Sequence, residues 1–262
     1  MRPGLAAARL GATHRFTWRL EVVVAALSAL AVVVVNASLW IAAADHGPVA
    51  GLAKPALGTY VVVAWLVAVA VGGRVEEWVG ERFYTGAIAS DLVRPMDLHA
   101  WALARHLGRS AASMLHTAVP VFAVMGLWFP VALPRHLVTW GLFAVSVSLA
   151  AVVGGQIGFL VGLLAFRLGR VTGVAHLKAA AVWLLSGAMI PIFALPVRVQ
   201  DLVAVLPFQA LAHVPAVLFT ERVTGPEAFG LLGLQAFWAL LLWGACRLGW
   251  AWAQRRIVVW GG

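Results

Sequence analysis

Residues 22–44 read VVVAALSALAVVVVNASLWIAAA, a run of 23 positions without one charged side chain. About 20 apolar residues in helical conformation cross the hydrocarbon core of a bilayer, so this run is long enough to span one. Four arginines, Arg2, Arg9, Arg15 and Arg19, precede it. A basic start followed by an apolar run and Ala42-Ala43-Ala44 has the outline of a signal peptide, but the run is longer than a signal h-region, and a retained first span is expected. Residues 1–19 read as an interfacial segment with Trp18 at the membrane surface.

The same pattern repeats outward from that run. Apolar stretches at residues 56–73, 110–129, 137–166, 174–195 and 228–253 bring the expected number of spans to six. The fourth is longer than a bilayer needs, which calls for tilt or projection beyond the membrane. The chain has 262 residues, 63% of them hydrophobic and 11% charged, with a mean hydropathy of +0.93. Soluble domains carry roughly a quarter charged residues, so the composition excludes a soluble enzyme and leaves no room for a separate catalytic domain beside the spans. The expected fold is an all-α integral membrane protein, one domain over residues 1–262.

The net charge of +9 does not point to nucleic acid. Placing both termini in the cytoplasm puts 15 of the 19 Lys and Arg residues on the inner side and leaves Lys54, Arg135, Arg198 and Arg222 outside. That asymmetry is the signature that orients multi-span proteins, and it accounts for the charge. Cys246, the single cysteine, sits in an apolar run and excludes an intramolecular disulfide or a cysteine metal site.

Residues 74–109 form the longest polar stretch and hold half of the acidic residues: Glu76, Glu77, Glu81, Asp91 and Asp97. Apolar residues still recur there at helical spacing, interrupted at Gly86 and Arg94-Pro95. Two short cytoplasmic helices are expected, one on either side of Pro95. Asp97 would cap the second, with Met96 and Trp101 as a hydrophobic staple. Residues 196–220, with Pro207 and Pro215, are too broken for a span and too apolar for a solvated loop. They read as a re-entrant or interfacial helix pair on the outside.

Motifs for chemistry are missing. Neither lysine completes a phosphate loop, since Lys54 follows Ala53 and Lys178 follows Leu177. No His-Glu-x-x-His occurs, and Leu185-Ser186-Gly187 does not make a nucleophile elbow. His99 and His106 share a helix face at seven-residue spacing, which is more often interfacial polarity than a metal pair. Asn36, His116 and Gln156 are the polar residues inside spans, with helix packing as the simplest role. Gly154, Gly158 and Gly162 recur every four residues, a pattern that lets helices approach closely, within the chain or between chains. A chain with no ATPase of its own and a compact cytoplasmic protrusion suits movement by a partner; a solvated amphipathic loop is the alternative reading of 74–109. An ion-coupled secondary transporter would show an inverted repeat or a mid-span acid, and neither is found.

The pattern Gly86-x-Ile88-x-x-Asp91-Leu92-x-Arg94-Pro95-x-x-Leu98 resembles the cytoplasmic motif of six-span bacterial type-2 ATP-binding-cassette exporter permeases, in the subfamily with a Leu-Leu-Arg-Pro-like signature. Trp183, Ser186-Gly187, Ile190-Pro191 and Pro196 are similar to that subfamily's fifth-span pattern, and Leu206-Pro207-Phe208 and Pro215 to its external helices. The chain departs at His213, where the family has tyrosine. The resemblance covers residues 15–249. It implies a non-catalytic permease of the bacterial inner membrane that pairs with a second permease, identical or paralogous, and with two separate P-loop ATPase subunits that carry the ATP and magnesium. It implies a coupling helix around residues 81–94, with Glu81, Arg82, Phe83, Tyr84, Gly86, Ile88, Asp91, Leu92, Arg94 and the following Pro95 coupling the chain to the ATPase. It further implies an external gate of Pro191, Pro196, Pro207, Phe208, His213 and Pro215, and export of a hydrophobic or amphipathic substrate such as a drug or lipid.

Overall fold

The computed structural model describes residues 3–13, 19–47, 49, 51–93, 97–129 and 131–255. Helices dominate the described residues. α1 is Pro3–Thr13, α2 Arg19–Ala43, α3 Lys54–Val71, α4 Val75–Tyr84, α5 Ile88–Leu92, α6 Leu98–Ser113, α7 Val119–Trp128, α8 Leu137–Leu163, α9 Ala165–Leu168, α10 Thr172–Leu185, α11 Val197–Val205, α12 His213–Phe219 and α13 Gly225–Gln254. Among the described residues, five segments are long and apolar enough to cross a membrane: Val22–His46, Lys54–Tyr84, Leu98–Trp128, Leu137–Leu168 and Gly225–Gln254. The chain is therefore an all-α, multi-pass membrane protein.

α3 occupies the middle of the bundle. Buried residues make up 78% of its most apolar window, against 17% for Val22–His46 and for Gly225–Gln254. A helix apolar on every side can be stable in this way only when surrounded, and α3 is covered by α2, α6, α8 and α12. α2 and α13 lie on the periphery, where Leu27, Val35, Leu39, Phe237, Leu240 and Leu248 are exposed. Such faces suit lipid chains or another subunit.

Three expectations are corrected. The fifth span, expected over 174–195, is the 14-residue helix Thr172–Leu185. At about 1.5 Å per residue it rises roughly 21 Å, short of a hydrocarbon core of about 30 Å. The chain leaves the helix where Gly187 adopts φ +84° and Pro191 has no N–H to continue it. The second helix of the polar stretch is not separate either. α6 runs through a π-helical turn, Met114–Ala118, into α7, giving one element from Leu98 to Trp128. Pro120 would clash with the carbonyl four residues back in a regular helix, and the wider π turn lies where that strain falls. Finally, Asp97 occupies the N-cap of α6 without a side-chain cap bond. Its carboxylate pairs instead with Arg247 on α13. Met96 of the expected staple lies outside the described residues.

The glycine ridge of α8 faces the junction of α3 and α4. A Cβ at Gly154 would lie 3.1 Å from the Val71 carbonyl oxygen, one at Gly158 2.9 Å from Glu76 Oε2, and one at Gly162 2.6 Å from Val79 Cβ. A Cβ at Gly162 would overlap the Val79 side chain, and those at Gly154 and Gly158 would press on the Val71 carbonyl and the Glu76 carboxylate. Gly162→Ala is expected to destabilise the detergent-solubilised protein by about 1–3 kcal/mol through overpacking, read as a lowered thermal midpoint. Gly126→Ala, where nothing lies within 4 Å, should leave the midpoint unchanged or slightly raised.

Candidate functional site

At one end of the bundle α4 and α5 form an elbow. Gly86 turns the chain at φ +72°, a conformation open to glycine without strain. α5 then folds back so that the guanidinium of Arg82 meets the carboxylate of Asp91 through two parallel bonds, Nε to Oδ2 and Nη2 to Oδ1, each 2.6 Å. Asp91 is only 2% exposed in its side chain, Arg82 23%. A two-pronged bond of this kind fixes orientation as well as distance. Ile88 is buried with Val75, Val79, Leu98, Phe159 and Trp250, which pins α5 to the bundle. Phe83 stacks edge-on against Phe166 at 6.1 Å. Tyr84 is exposed, accepts a 3.0 Å bond from Arg170 Nη2 and lies under that guanidinium at 4.8 Å. Glu81 is exposed, and Leu92 and Val93 project outward with exposures of 40% and 84%. Arg94 and Pro95 lie outside the described residues. α1 packs on α6 at this same end.

Just inside the elbow is a buried ion pair that the sequence reading did not identify. Lys178 Nζ donates to Glu76 Oε1 at 2.7 Å, and the two side chains are 13% and 5% exposed. The other carboxylate oxygen, Glu76 Oε2, has no hydrogen-bond partner. Both residues line a cavity of about 380 Å³ between the end of α3, α8 and α10. Glu76 looks like one more member of an exposed acidic run, and Lys178 like a basic flank of a span. The available signal was that Lys178 stands inside a helix whose neighbours are Ala, Leu and Val, a place where a lysine is costly without a partner.

The opposite end holds the broken segment 186–220. Gly187 fits closely, since a Cβ there would lie 2.7 Å from the Tyr60 hydroxyl. Breaking a helix frees carbonyls that membrane water cannot satisfy, and side chains from α2 and α3 reach them. Asn36 Nδ2 donates to the Ala188 carbonyl at 3.2 Å and Trp40 Nε1 to the Met189 carbonyl at 3.0 Å. The Tyr60 hydroxyl lies 3.3 Å from the Gly187 carbonyl and 2.7 Å from His213 Nδ1. His213 thus bonds to a tyrosine on another helix. Phe193 packs edge-on against Tyr60 at 4.8 Å, and the Arg222 guanidinium sits 4.4 Å over Phe193. Among the proline and aromatic positions singled out from the sequence, Pro191 and Pro215 are buried, Pro207 and Phe208 half-buried, and Pro196 exposed. α11, between Pro196 and Pro207, leaves Val197, Leu202 and Val205 exposed. Deeper in, Gln235 on α13 accepts from Ser146 Oγ at 2.9 Å and donates to the Ala210 carbonyl at 2.8 Å, tying α13 to α8 and to the hairpin.

Glu221 closes this end. It adopts φ +53°, and its Oε1 accepts from the backbone N–H of Arg135 and His136 at 3.0 Å and from Thr139 Oγ1 at 2.9 Å. Those donors surround the first turn of α8, where unpaired N–H groups favour an anion. The amide of His136, then the Thr139 hydroxyl and the Arg135 amide, hold the Glu221 carboxyl below its ordinary value of 4.5. A depressed carboxyl stabilises the fold above its unfolded-state value, and that contribution disappears as pH falls through the lower, folded one. The thermal midpoint of the wild-type protein is therefore expected to fall more steeply than that of Glu221→Gln as pH drops below 4.5, with the two curves parallel near neutrality.

Groups of three or more His, Cys, Asp or Glu placed to hold a metal do not occur among the described residues. No curated protein and no solved structure is similar enough to be matched to the chain. A family model described as ABC-2 family transporter protein does match, over residues 54–261. The match covers the central helix, the elbow, the broken segment and the last span, and the chain belongs to the ABC-2 transporter family as a membrane transport component.

Proposed function

We propose that the chain is the permease subunit of an ATP-driven exporter, working with a second permease, the same or paralogous, and with two separate P-loop ATPase subunits. The observation that carries this reading is the elbow. α4 is locked to α8 by the glycine ridge, and the paired Arg82 and Asp91 lock α5 to α4. Exposed Leu92 and Val93 then form an apolar tip on a rigid mount. A tip of this kind seats in a groove of a soluble partner and passes the partner's displacement to the helices behind it. Glu81 to Val93, continuing into Arg94 and Pro95, is the coupling element. ATP and magnesium belong to the partner.

The elbow end and both termini face the cytoplasm, as the Lys and Arg distribution requires, in the inner membrane of a bacterium. Segment 196–220 then lies outside, with Pro191, Pro196, Pro207, Phe208, His213 and Pro215 framing an external gate. The short helix α10 and the uncovered faces of α2 and α13 adjoin lipid and the second permease. ATP-dependent movement of the elbow shifts the population between inward- and outward-open forms, and the substrate is hydrophobic or amphipathic. An ion-coupled carrier is disfavoured by the family membership.

Purification of the tagged chain in gentle detergent is expected to recover a P-loop ATPase. The double substitution Leu92→Asp, Val93→Asp should lose it at unchanged helix content. Recovery of the chain alone, with no ATPase encoded beside it, would replace this reading with ion-coupled transport. Orientation is tested in Cys246→Ala background: Arg198→Cys should react with an impermeant thiol reagent added outside intact cells, and Ser90→Cys only after permeabilisation. The reverse pattern overturns the topology.

A further inference from the structure

The level at which the membrane surface meets the elbow end follows from helix lengths. The apolar segment Leu98–Trp128 has 31 residues. At about 1.5 Å per residue the hydrocarbon core takes up only about 20 of them. Counted back from Trp128, the hydrocarbon boundary falls near Arg109, and Arg105 stands one turn further out, among headgroups. α1 marks the same level. It crosses α6 where a Cβ on Gly108 would overlap the Ala8 carbonyl, and it leaves Leu5 and Leu10 exposed. A helix lying where headgroups meet acyl chains has such exposed apolar residues.

Arg105 and Arg109, four residues apart, share one face of α6. Both are half-buried, and neither has a hydrogen-bond or ion-pair partner among the described residues. The Arg105 guanidinium lies 5.2 Å over the Trp78 ring of α4, and that of Arg82 lies 5.8 Å from the same ring. Arg109 and Arg82 repel the charge on Arg105, and Glu81 attracts it. The Asp91 carboxylate is occupied by Arg82. Around Trp78, then, three cations stand against two carboxylates. Elsewhere at this end Arg74, Arg170, Lys178 and Arg247 each have a side-chain partner. Half-buried guanidiniums have given up part of their hydration, and anionic oxygens restore the lost hydrogen bonds. A phosphate suits them because its oxygens accept two parallel N–H bonds from one guanidinium. The depth of the pair, beside the exposed leucines of α1, favours a phosphate carried by a lipid over a soluble one.

We propose that the face of α4 and α6 beside Trp78 binds the phosphate of an anionic membrane lipid. Arg105 and Arg109 donate to its oxygens, and its acyl chains lie in the hydrocarbon below. Such a lipid ties the root of the elbow to the plane of the membrane. The inference requires this end to lie at a membrane surface and is independent of the ATPase.

The test uses the full chain in detergent, equilibrated with equimolar dioleoylphosphatidylglycerol and dioleoylphosphatidylcholine, which share acyl chains and differ in net charge. Lipids retained on the protein are weighed by native mass spectrometry. The wild type should retain the glycerol lipid over the choline lipid by roughly 25-fold, the ratio given by two arginines near an anionic surface. Arg109→Gln alone should leave a ratio of about fivefold. Arg105→Gln combined with Arg109→Gln should bring it close to one. Arg167→Gln combined with Arg255→Gln removes the same charge from exposed positions and should keep the preference. Equal retention of the two lipids by the wild type, or an equal fall in both double variants, overturns the proposal. Release of the lipid by millimolar inorganic phosphate also overturns it, in favour of a soluble ligand. An unchanged ratio in the Arg105→Gln, Arg109→Gln chain, with the ATPase no longer recovered, would assign the two arginines to the protein partner instead. ATPase recovery is scored in a separate preparation, so the permease reading and this one fail independently.

Discussion

The close approach of α8 to the α3–α4 junction is the constraint on which the remaining architecture depends. α3 runs through the middle of the bundle, and α4 continues beyond it after the short break at residues 72–74. Without a Cβ at Gly154, Gly158 and Gly162, α8 comes near enough to hold both helices along one line. Small residues are what permit such contact in a bilayer, where lipid chains compete on equal terms for any apolar surface. The contact fixes three things together: the direction in which the elbow projects, the burial of Glu76, and one wall of the cavity beside Lys178.

The two ends of the bundle solve different problems. At the elbow end the helices continue past the apolar zone, and charged side chains there pair across helices: Arg82 with Asp91, Lys178 with Glu76, Arg247 with Asp97. Such pairs contribute orientation more than net stability, because desolvation offsets much of their attraction. At the other end helices stop early, and the difficulty is unpaired backbone. Asn36, Trp40, Tyr60 and Gln235 supply bonds to carbonyls of the broken segment, and Glu221 accepts from the amides at the start of α8. One end is held by charge pairs between helices, and the other by side-chain bonds to the backbone of short pieces.

Much of this was legible in the order of residues. Long uncharged runs announce spans because hydrocarbon excludes charge, and five of the expected six are long apolar helices here. The polar stretch 74–109 was recognisable as helical, and Gly86 marked its turn. Legibility failed where a local signal competed with a distant partner. Asp97 has the right place and type for a cap, but Arg247, 150 positions away, takes its carboxylate. The apolar run continues through Gly187 and Pro191, where the helix ends, because an apolar run by itself does not say where a helix stops.

The sequence by itself determined that this chain lives in a membrane as a helical bundle, that it has no phosphate loop, and that its basic residues outnumber its acidic ones. These follow from composition and period, properties each segment carries alone. Tertiary structure decided which helix is central, which face the glycine ridge meets, and that Glu76 and Lys178, 102 positions apart, are buried against each other. Those outcomes depend on which surfaces meet, and in a bilayer apolar surface alone does not select a neighbour, so the choice rests on shape and on scattered polar bonds that no single segment encodes.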